Sequence, residues 1–334
     1  GTMESRTFGL NDHGQSVGDS RLDRTGHIGQ SRPVVWDSSG VPTELWSDPQ
    51  IGGSAADMNN TGIVVGRYGS GSGTPLPGPG IPFGRGFVWD STNGRRDIGL
   101  EPVGNPQAVA INDAGQVVGT SEVLMEIDGS NYFIPRAYVW DDTNGIQDIG
   151  TLGGFGAFAN DNNELGQVVG YSDTPEGFNR AYIWDANNGM QALPTVADGE
   201  SRAVAINDAG QVLVGEVGVG AFIWDSANGF EMLPSGGIAL NNLGQVLGGT
   251  TGDPTLYTPN VGVVRLVESI PDNTGWELEI AFGINDVGDI VGVGHLNGET
   301  RGFLLTPIPE PQSMELVFLV LIVTVIVRRV PPDP

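Results

Sequence analysis

One stretch of the chain has the spacing of a serine hydrolase nucleophile. Residues 14–18 contain the Gly-x-Ser-x-Gly pattern, which places a serine on a sharp turn between a strand and a helix. However, Ser16 stands in register with Val117, Val168 and Val212 of three similar stretches, each a predicted strand that follows a hairpin turn. A strand inside a repeated hairpin lacks the strand-turn-helix geometry. The sequence therefore predicts no catalytic residue and a protein that is not an enzyme.

Residues that could bind a metal are few. The three histidines are His13, His27 and His295, and they show no zinc-binding spacing. Oxygen-rich stretches occur around Asp141 and Asp142 and around Asp161, and calcium takes six to eight oxygen ligands. Neither stretch has the Asp-x-Asp-x-Asp-Gly phrase, and Asn and Asp favour turns without any ion. We predict no metal or other cofactor, with calcium at these three aspartates as the open alternative.

An internal repeat positions all of these residues. Asn, then Asp, Asn or Glu, any residue and Gly occurs seven times, and the leading asparagines lie 34 to 53 residues apart. These asparagines are Asn11, Asn59, Asn112, Asn163, Asn207, Asn241 and Asn285. Seven copies of one unit of about 46 residues therefore cover most of the chain.

Each unit has the turn signals of two β-hairpins. The first turn is the Asn-Asp-x-Gly phrase, and the second is an Asn-Gly turn after a strand that ends in Trp-Asp, as at residues 137–145. Four strands in each of seven units predict an all-β fold, a seven-bladed β-propeller over residues 1–307. A β-solenoid is the alternative, although its coils are usually shorter and have fewer hairpin turns. The seventh unit ends at its third strand, residues 302–306, so we expect no fourth strand there.

Composition excludes several classes of partner. The chain has 40 acidic and 15 basic residues, a net charge of −25 and no cysteine. A chain this acidic repels phosphate backbones, so we predict no nucleic-acid partner. The absence of cysteine excludes disulfides and thiolate metal sites.

Arginine and tryptophan recur with the repeat. Arginine opens the third strand in five units, at Arg32, Arg85, Arg136, Arg180 and Arg301. A ring of cations for an anionic ligand is one interpretation, but we favour ion pairs with the Trp-Asp aspartates or a neighbouring blade. The tryptophans of the Trp-Asp pairs are Trp36, Trp89, Trp140, Trp184 and Trp224. We interpret them as core between blades rather than as platforms for sugar stacking.

These phrases resemble the extracellular repeat family called HAF. The similar stretches are residues 110–119, residues 137–141 and residues 148–154, while residues 205–215 match with one extra residue. Units six and seven depart from the pattern, because Tyr257-Thr258 and Leu305-Thr306 stand in place of Trp-Asp. The resemblance implies export from the cell but no particular activity.

The C-terminal segment, residues 308–334, resembles a PEP-CTERM sorting signal. Pro309, Glu310 and Pro311 precede an apolar run at 316–327, and Arg328 and Arg329 follow it. The resemblance implies transient membrane insertion, with the arginines on the cytoplasmic side, and processing by an exosortase-type enzyme of a Gram-negative bacterium. Twelve residues span about 18 Å as a helix, short of a bilayer core of about 30 Å. The alternatives are a closing β-strand or an apolar tail docked on the domain.

Strand parity divides the propeller into two faces. The first and third turns of each unit share one face, where all the constant tight turns lie. The variable loops share the opposite face, which is therefore the predicted binding face. Its predicted contact residues are Arg67, Tyr68, Tyr132, Phe133, Tyr171, Phe178 and Trp276.

These patterns together predict a non-catalytic protein that is secreted or held at the cell surface. Its propeller is expected to bind exopolysaccharide or another component of a biofilm matrix. A protein that self-associates into an extracellular layer or fibre is one alternative, because an incomplete seventh blade would leave an open strand edge. A polysaccharide hydrolase or lyase is a further alternative, which requires paired carboxylates in a central pocket.

Overall fold

The chain forms a seven-bladed β-propeller, as the repeat predicts. The computed structural model describes residues 4–21, 31–46, 48, 51–70, 84–99, 104–270, 274–307 and 321–324. These residues form 28 strands in seven antiparallel four-stranded sheets, and each sheet keeps its strands in chain order. The described residues include a single 3₁₀ turn, Leu266–Ser269, and no α-helix.

The first strand of each blade lines the central channel, and the fourth lies at the outer edge. Blades 1 and 2 consist of β1 (Glu4–Leu10), β2 (Ser16–Arg21), β3 (Arg32–Trp36), β4 (Pro42–Glu44), β5 (Ile51–Met58), β6 (Val64–Ser70), β7 (Arg85–Asp90) and β8 (Gly94–Ile98). Blades 3 and 4 consist of β9 (Gly104–Ile111), β10 (Val117–Ile127), β11 (Ser130–Asp141), β12 (Gly145–Asp148), β13 (Ala157–Asn162), β14 (Val168–Asp173), β15 (Asn179–Asp185) and β16 (Gly189–Ala192).

The remaining three blades follow the same plan. Blades 5 and 6 consist of β17 (Ser201–Ile206), β18 (Val212–Glu216), β19 (Gly220–Asp225), β20 (Gly229–Met232), β21 (Gly237–Leu240), β22 (Val246–Thr250), β23 (Asp253–Thr258) and β24 (Gly262–Arg265). Blade 7 consists of β25 (Trp276–Ile284), β26 (Ile290–Leu296), β27 (Glu299–Pro307) and β28 (Leu321–Thr324). In the parts of the chain that the structure describes, no helix has the length and apolar character needed to cross a membrane.

Apolar side chains pack between neighbouring blades rather than inside one blade. One cluster joins Val118, Ala137 and Val139 of blade 3 to Val168 and Tyr182 of blade 4. The tryptophans of the Trp-Asp pairs border such clusters: Trp36 is 7% exposed, and the other four pack against buried residues of the core. The predicted role of these tryptophans as core between blades is confirmed.

A β-bulge in the first strand of blade 4 leaves little room for a side chain on the second strand. In blade 4 the register shifts between Ala159 and Asp161, which presses the β13 backbone against Gly170. A Cβ atom on Gly170 would lie 1.9 Å from the carbonyl oxygen of Phe158. Blade 5 has the same strand register with Val214 at the equivalent position, so this blade accommodates a side chain there. The extra residue predicted in residues 205–215 does not shift the pairing of the strands.

Ring closure differs from the sequence-based expectation. The expected absence of a fourth strand in blade 7 is wrong, because β28 pairs with β27 from Leu304↔Thr324 to Pro307↔Leu321. The strand comes from the apolar C-terminal run, as the closing-strand alternative predicted. The division of the chain after residue 307 stays a prediction, and the sorting-signal residues Pro309, Glu310, Pro311, Arg328 and Arg329 lie outside the described residues.

Blade 7 contacts blade 1 directly. The hydroxyl of Thr7 donates to the carbonyl oxygen of Gly292 at 2.9 Å, and the backbone N–H of Gly302 donates to Ser5 Oγ at 3.3 Å. Both blades are complete, so no blade is built from the two ends of the chain.

The bulge predicts a sharp difference between two glycines. We expect Gly170→Ala to lower the free energy of unfolding by about 1–3 kcal/mol, because the new Cβ overlaps a backbone oxygen. Gly215→Ala is the matched control, since no atom lies within 4 Å of its added Cβ. Urea unfolding of both variants measures the difference, and equal stabilities would contradict the assigned register.

Truncation after Pro307 tests the assignment of β28. We expect the ring to remain folded, because blade 7 keeps its contacts with blades 6 and 1. The melting temperature should fall by roughly 2–6 °C, since an edge strand and its hydrogen bonds are lost. Calorimetry of the full and truncated chains measures this shift. An unchanged melting temperature would show that the segment is not part of the ring.

Candidate functional site

The seven leading asparagines form a closed circle of hydrogen bonds around the channel. Each Asn Nδ2 donates to the backbone carbonyl oxygen of the equivalent asparagine in the next blade, at 2.9–3.2 Å. The last of these bonds runs from Asn285 to Asn11 and completes the circle. All seven asparagines are buried. We call this circle the asparagine ladder.

A second circle lies one residue further along each turn. Its members are Asp12, Asn60, Asp113, Glu164, Asp208, Asn242 and Asp286. Each backbone N–H donates to a side-chain oxygen of the next member at 2.7–2.9 Å. Asn60 and Asn242 each donate from Nδ2 to the carboxylates on both sides. This rim carries five carboxylates at one mouth of the channel.

Burial and neighbouring charges make two of the rim carboxylates, Glu164 and Asp286, harder to ionise. Burial raises the pKa of Glu164 above its usual value, and the charges of Asp113 and Asp208 raise it further. Burial likewise raises the pKa of Asp286, with additional contributions from Asp12 and Asp208. The rim therefore forms a strongly negative mouth that attracts protons and cations.

Two further aspartates lie inside the channel, Asp57 on β5 and Asp161 on β13. The backbone N–H of Ile111 donates to Asp57 Oδ2 at 3.0 Å, and that of Ile206 donates to Asp161 Oδ2 at 2.9 Å. Burial is the largest cause that raises the pKa of Asp57 to about 6 and that of Asp161 to about 7. The charge of Asp57 also raises the pKa of Asp161.

Asp161 was among the predicted calcium ligands, whereas Asp57 was not predicted from the sequence. Both residues stand two positions before the ladder asparagine of their unit. The other five units have only glycine or alanine there, namely Gly9, Ala110, Ala205, Ala239 and Gly283. A comparison of the units position by position would have identified the pair.

The calcium candidates do not come together. Asp161 faces the channel, whereas Asp141 caps the tight turn after β11 by accepting from the backbone N–H of Thr143 and of Asn144, both at 2.8 Å. Asp142 forms an ion pair with Arg96 of the neighbouring blade. Across the described ranges, no group of three or more histidine or acidic side chains is placed to hold a metal ion.

Four of the five repeated arginines form ion pairs within their own blades, whereas Arg180 donates to the backbone carbonyl oxygens of Asp198 and Gly199. Three of them reach the carboxylate twelve residues later on the fourth strand: Arg32–Glu44 at 2.9 Å, Arg85–Asp97 at 2.7 Å and Arg136–Asp148 at 3.5 Å. Blade 6 has the same pair with the charges exchanged, Asp253–Arg265 at 2.7 Å. The partner is therefore the fourth strand and not the Trp-Asp aspartate, which caps the following turn.

Two of the predicted contact residues are buried in the core, so their assignment to the binding face is wrong. Tyr68 is 5% exposed, and its hydroxyl donates to Asp97 Oδ1 at 2.5 Å. Burial, together with the hydrogen bond to Asp97, raises the pKa of Tyr68 to about 12. Trp276 is 6% exposed and packs edge-on against Phe303, with ring centroids 6.2 Å apart.

The other predicted contact residues reach the surface to different degrees. Arg67, Tyr132, Phe133 and Phe178 are exposed. Tyr171 is half-buried, because one side stacks on Phe158 at 4.7 Å and Arg202 lies 4.6 Å from its ring centroid. The exposed Leu124 and Phe155 on the same face were missed, since single apolar residues in loops and hairpins carry no periodic signal.

The hairpin of β10 and β11 is the most prominent feature of the variable-loop face. Its strands have 11 and 12 residues, the longest among the described strands. Leu124 and Phe133 are cross-strand partners that are 56% and 66% exposed, and the neighbouring Tyr132 is 50% exposed. The opposite face carries the tight turns and the acidic rim. The variable-loop face therefore presents exposed aromatic side chains, whereas the opposite face combines the acidic rim with the exposed Leu165, Leu243 and Val287 of the ladder turns.

Comparisons with known proteins bear on the fold alone. No family model and no curated protein matches the chain. A puromycin-hydrolysing peptidase of Mycobacterium tuberculosis is similar in structure, with 12% identity over 91% of this chain and 51% of that chain and a TM-score of 0.58. YCF48 bound to D1 peptide has 11% identity over 93% of this chain and 98% of that chain, with a TM-score of 0.49. TolB from Acinetobacter baumannii has 15% identity over 73% of this chain and 61% of that chain, with a TM-score of 0.42. The chain spans about half of the peptidase and about three-fifths of TolB.

The channel aspartates predict that stability falls as pH rises. A raised pKa means that the folded protein binds more protons than the unfolded chain between about pH 4 and 7, so unfolding becomes easier across this range. We expect Asp161→Asn to be more stable than the wild type at pH 8 by about 1–3 kcal/mol and to lose this advantage at pH 5. Urea titrations at both pH values measure it. The exposed Asp128→Asn serves as the control, and an equal pH effect in the two variants would refute the assignment.

Proposed function

We propose that the chain is an exported, non-catalytic protein of a cell surface or extracellular matrix, whose propeller binds exopolysaccharide or another matrix component. The observation that carries the proposal is the hairpin of β10 and β11 on the variable-loop face, which we call the aromatic hairpin. Leu124, Tyr132 and Phe133 are all at least half exposed there. Large exposed apolar side chains grouped on one element mark interaction sites, and flat aromatic rings can pack on the C–H faces of sugars.

The two faces support this choice of surface. In the constant turns, the side chains of the ladder and the rim form hydrogen bonds that join neighbouring blades, so these side chains have a structural role. The variable loops form no such repeated bonds and differ from blade to blade, and the long β10–β11 hairpin occurs in blade 3 alone among the described blades. Variable segments on a rigid scaffold are the usual carriers of binding.

Export is proposed from sequence alone. The HAF-like repeats and the PEP-CTERM-like segment support secretion or surface display in a Gram-negative bacterium, with an exosortase-type enzyme as the processing partner. The apolar run at 316–327 supports transient insertion into the membrane, which would precede the pairing of Leu321–Thr324 with β27 in the folded ring.

The self-assembly alternative loses the feature on which it was based. It relied on an open edge in blade 7, and β28 occupies that edge. The hydrolase or lyase alternative keeps one supporting observation, since Asp57 and Asp161 place two carboxyl groups with raised pKa values in the central channel. Both alternatives are therefore included as outcomes of the binding experiment.

The aromatic hairpin predicts where binding will be lost. We expect the full chain to co-sediment saturably with extracted exopolysaccharide, and Tyr132→Ala/Phe133→Ala to bind at least tenfold more weakly. Leu165→Ala is the matched control, because this leucine is 69% exposed on the opposite face. A chelator in parallel samples tests for a calcium requirement.

Three results would contradict the proposal. Unchanged binding by the double variant would move the site away from the hairpin. Pelleting of the protein without polysaccharide as its concentration rises would support self-assembly. New reducing ends in the polysaccharide that disappear in Asp57→Asn or Asp161→Asn would support the hydrolase or lyase.

A further inference from the structure

A chamber occupies the part of the channel between the asparagine ladder and the variable-loop face. It has a volume of about 240 Å³ and is lined by two or three successive residues of each inner strand. A second cavity of about 240 Å³ lies on the rim side, and the two share Leu10, Asp57, Asp161, Leu240 and Ile284 as lining residues. The two aspartates therefore border both cavities.

Most of the side chains that line the chamber are apolar, although its exposed surface is mostly polar. Its larger side chains are Phe8, Val109, Val204, Ile238 and Phe282. Phe8 and Phe282 pack edge-to-face with ring centroids 5.4 Å apart, which fixes one side of the wall. Of all the residues that line the chamber, Asp57 and Asp161 are the ionisable ones, and Asn160 adds a polar amide that donates to the carbonyl oxygen of Ala203 at 2.7 Å.

The two aspartates depart from a repeat that closes without them. Five blades have glycine or alanine at this position, so the inter-blade contacts do not require a carboxylate there. Glycine also leaves room for the charge, because a Cβ atom on Gly9 would lie 3.0 Å from Asp57 Oδ1. Burying two carboxylates near each other costs stability. Because the fold does not require them, their presence indicates a role other than holding the blades together.

Neither carboxylate has a cationic partner among the described residues, since none of the ion pairs formed there includes Asp57 or Asp161. Their partners are backbone N–H groups, which leave each charge uncompensated. The chamber is therefore negative at neutral pH, and its side chains other than Asp57, Asp161 and Asn160 are apolar. A ligand that matches both properties carries a positive charge on an apolar body.

A bare metal ion fits this chamber poorly. Calcium requires six to eight oxygen ligands, whereas the wall supplies two carboxylates and one amide between aliphatic and aromatic side chains. An organic ammonium group needs fewer contacts, because its N–H groups donate to the two carboxylates while its carbon chain or ring packs on the wall.

We propose that the chamber binds a primary ammonium group carried on an apolar chain or ring, with Asp57 and Asp161 as its anionic partners. This site lies inside the propeller, apart from the aromatic hairpin of the proposed function, and neither proposal depends on the other. Binding releases protons near neutral pH, because the ammonium favours the ionised form of both carboxyl groups.

Titration calorimetry of the full chain tests the proposal with cyclohexylammonium chloride and with cyclohexanol as its neutral counterpart. At pH 8 we expect saturable binding of the ammonium and at least tenfold weaker binding of the alcohol. At pH 5 the ammonium should bind at least tenfold more weakly than at pH 8, since both carboxyl groups are then protonated. At pH 6.5, measurements in two buffers of different ionisation heat should show net proton release.

Variants identify the residues. Asp57→Asn/Asp161→Asn should bind the ammonium at least tenfold more weakly and release no protons, whereas Asp128→Asn should behave as the wild type. Equal binding of alcohol and ammonium, or of the double variant and the wild type, would overturn the proposal. The pH dependence and the proton release of the wild type test it even if the double variant does not fold.

Discussion

The architecture depends on one property of the asparagine side chain, which accepts and donates at the same time. In the turn of blade 5, Asn207 Oδ1 accepts from the backbone N–H of Gln211 at 3.0 Å, while its Nδ2 donates to Asn241 of the next blade at 3.1 Å. One residue thus shapes its own hairpin and joins it to its neighbour. Aspartate keeps the first role but has no N–H for the second. The same asparagine begins the turn in all seven units for this reason.

The requirement for such a turn explains why the fold could be predicted. Asn-Asp-x-Gly and Asn-Gly phrases specify tight hairpins, their spacing specifies four strands, and their number specifies seven blades. Side-chain direction was harder to predict. Tyr68 and Trp276 lie in strands near loops, and only the register of the sheet shows that they point into the core. The closing strand was predicted only as an alternative, because no hairpin turn joins Leu321–Thr324 to β27.

The channel shows what the repeat conceals. A repeat directs attention to what its copies share, and the shared residues here are structural: ladder asparagines, turn glycines, and arginines paired across a blade. The chemistry lies where single copies differ. Asp57 and Asp161 are two such differences, and the β10–β11 hairpin is a third. Each changes one or two blades and leaves the common frame intact, which allows one scaffold to carry new sites without loss of the ring.

Because the ladder bonds form a full circle, closure of the ring at the channel does not depend on a covalent link between every pair of blades. The seam between blades 7 and 1 has the same two bonds as every other seam, from Asn285 to the Asn11 carbonyl and from the Asp286 N–H to Asp12. The seam where the chain begins and ends is therefore held at the channel like the six that a backbone link crosses. A proteolytic nick in any one variable loop would leave all seven ladder bonds in place. By the same logic, circular permutation at these loops would move the chain ends without opening the circle.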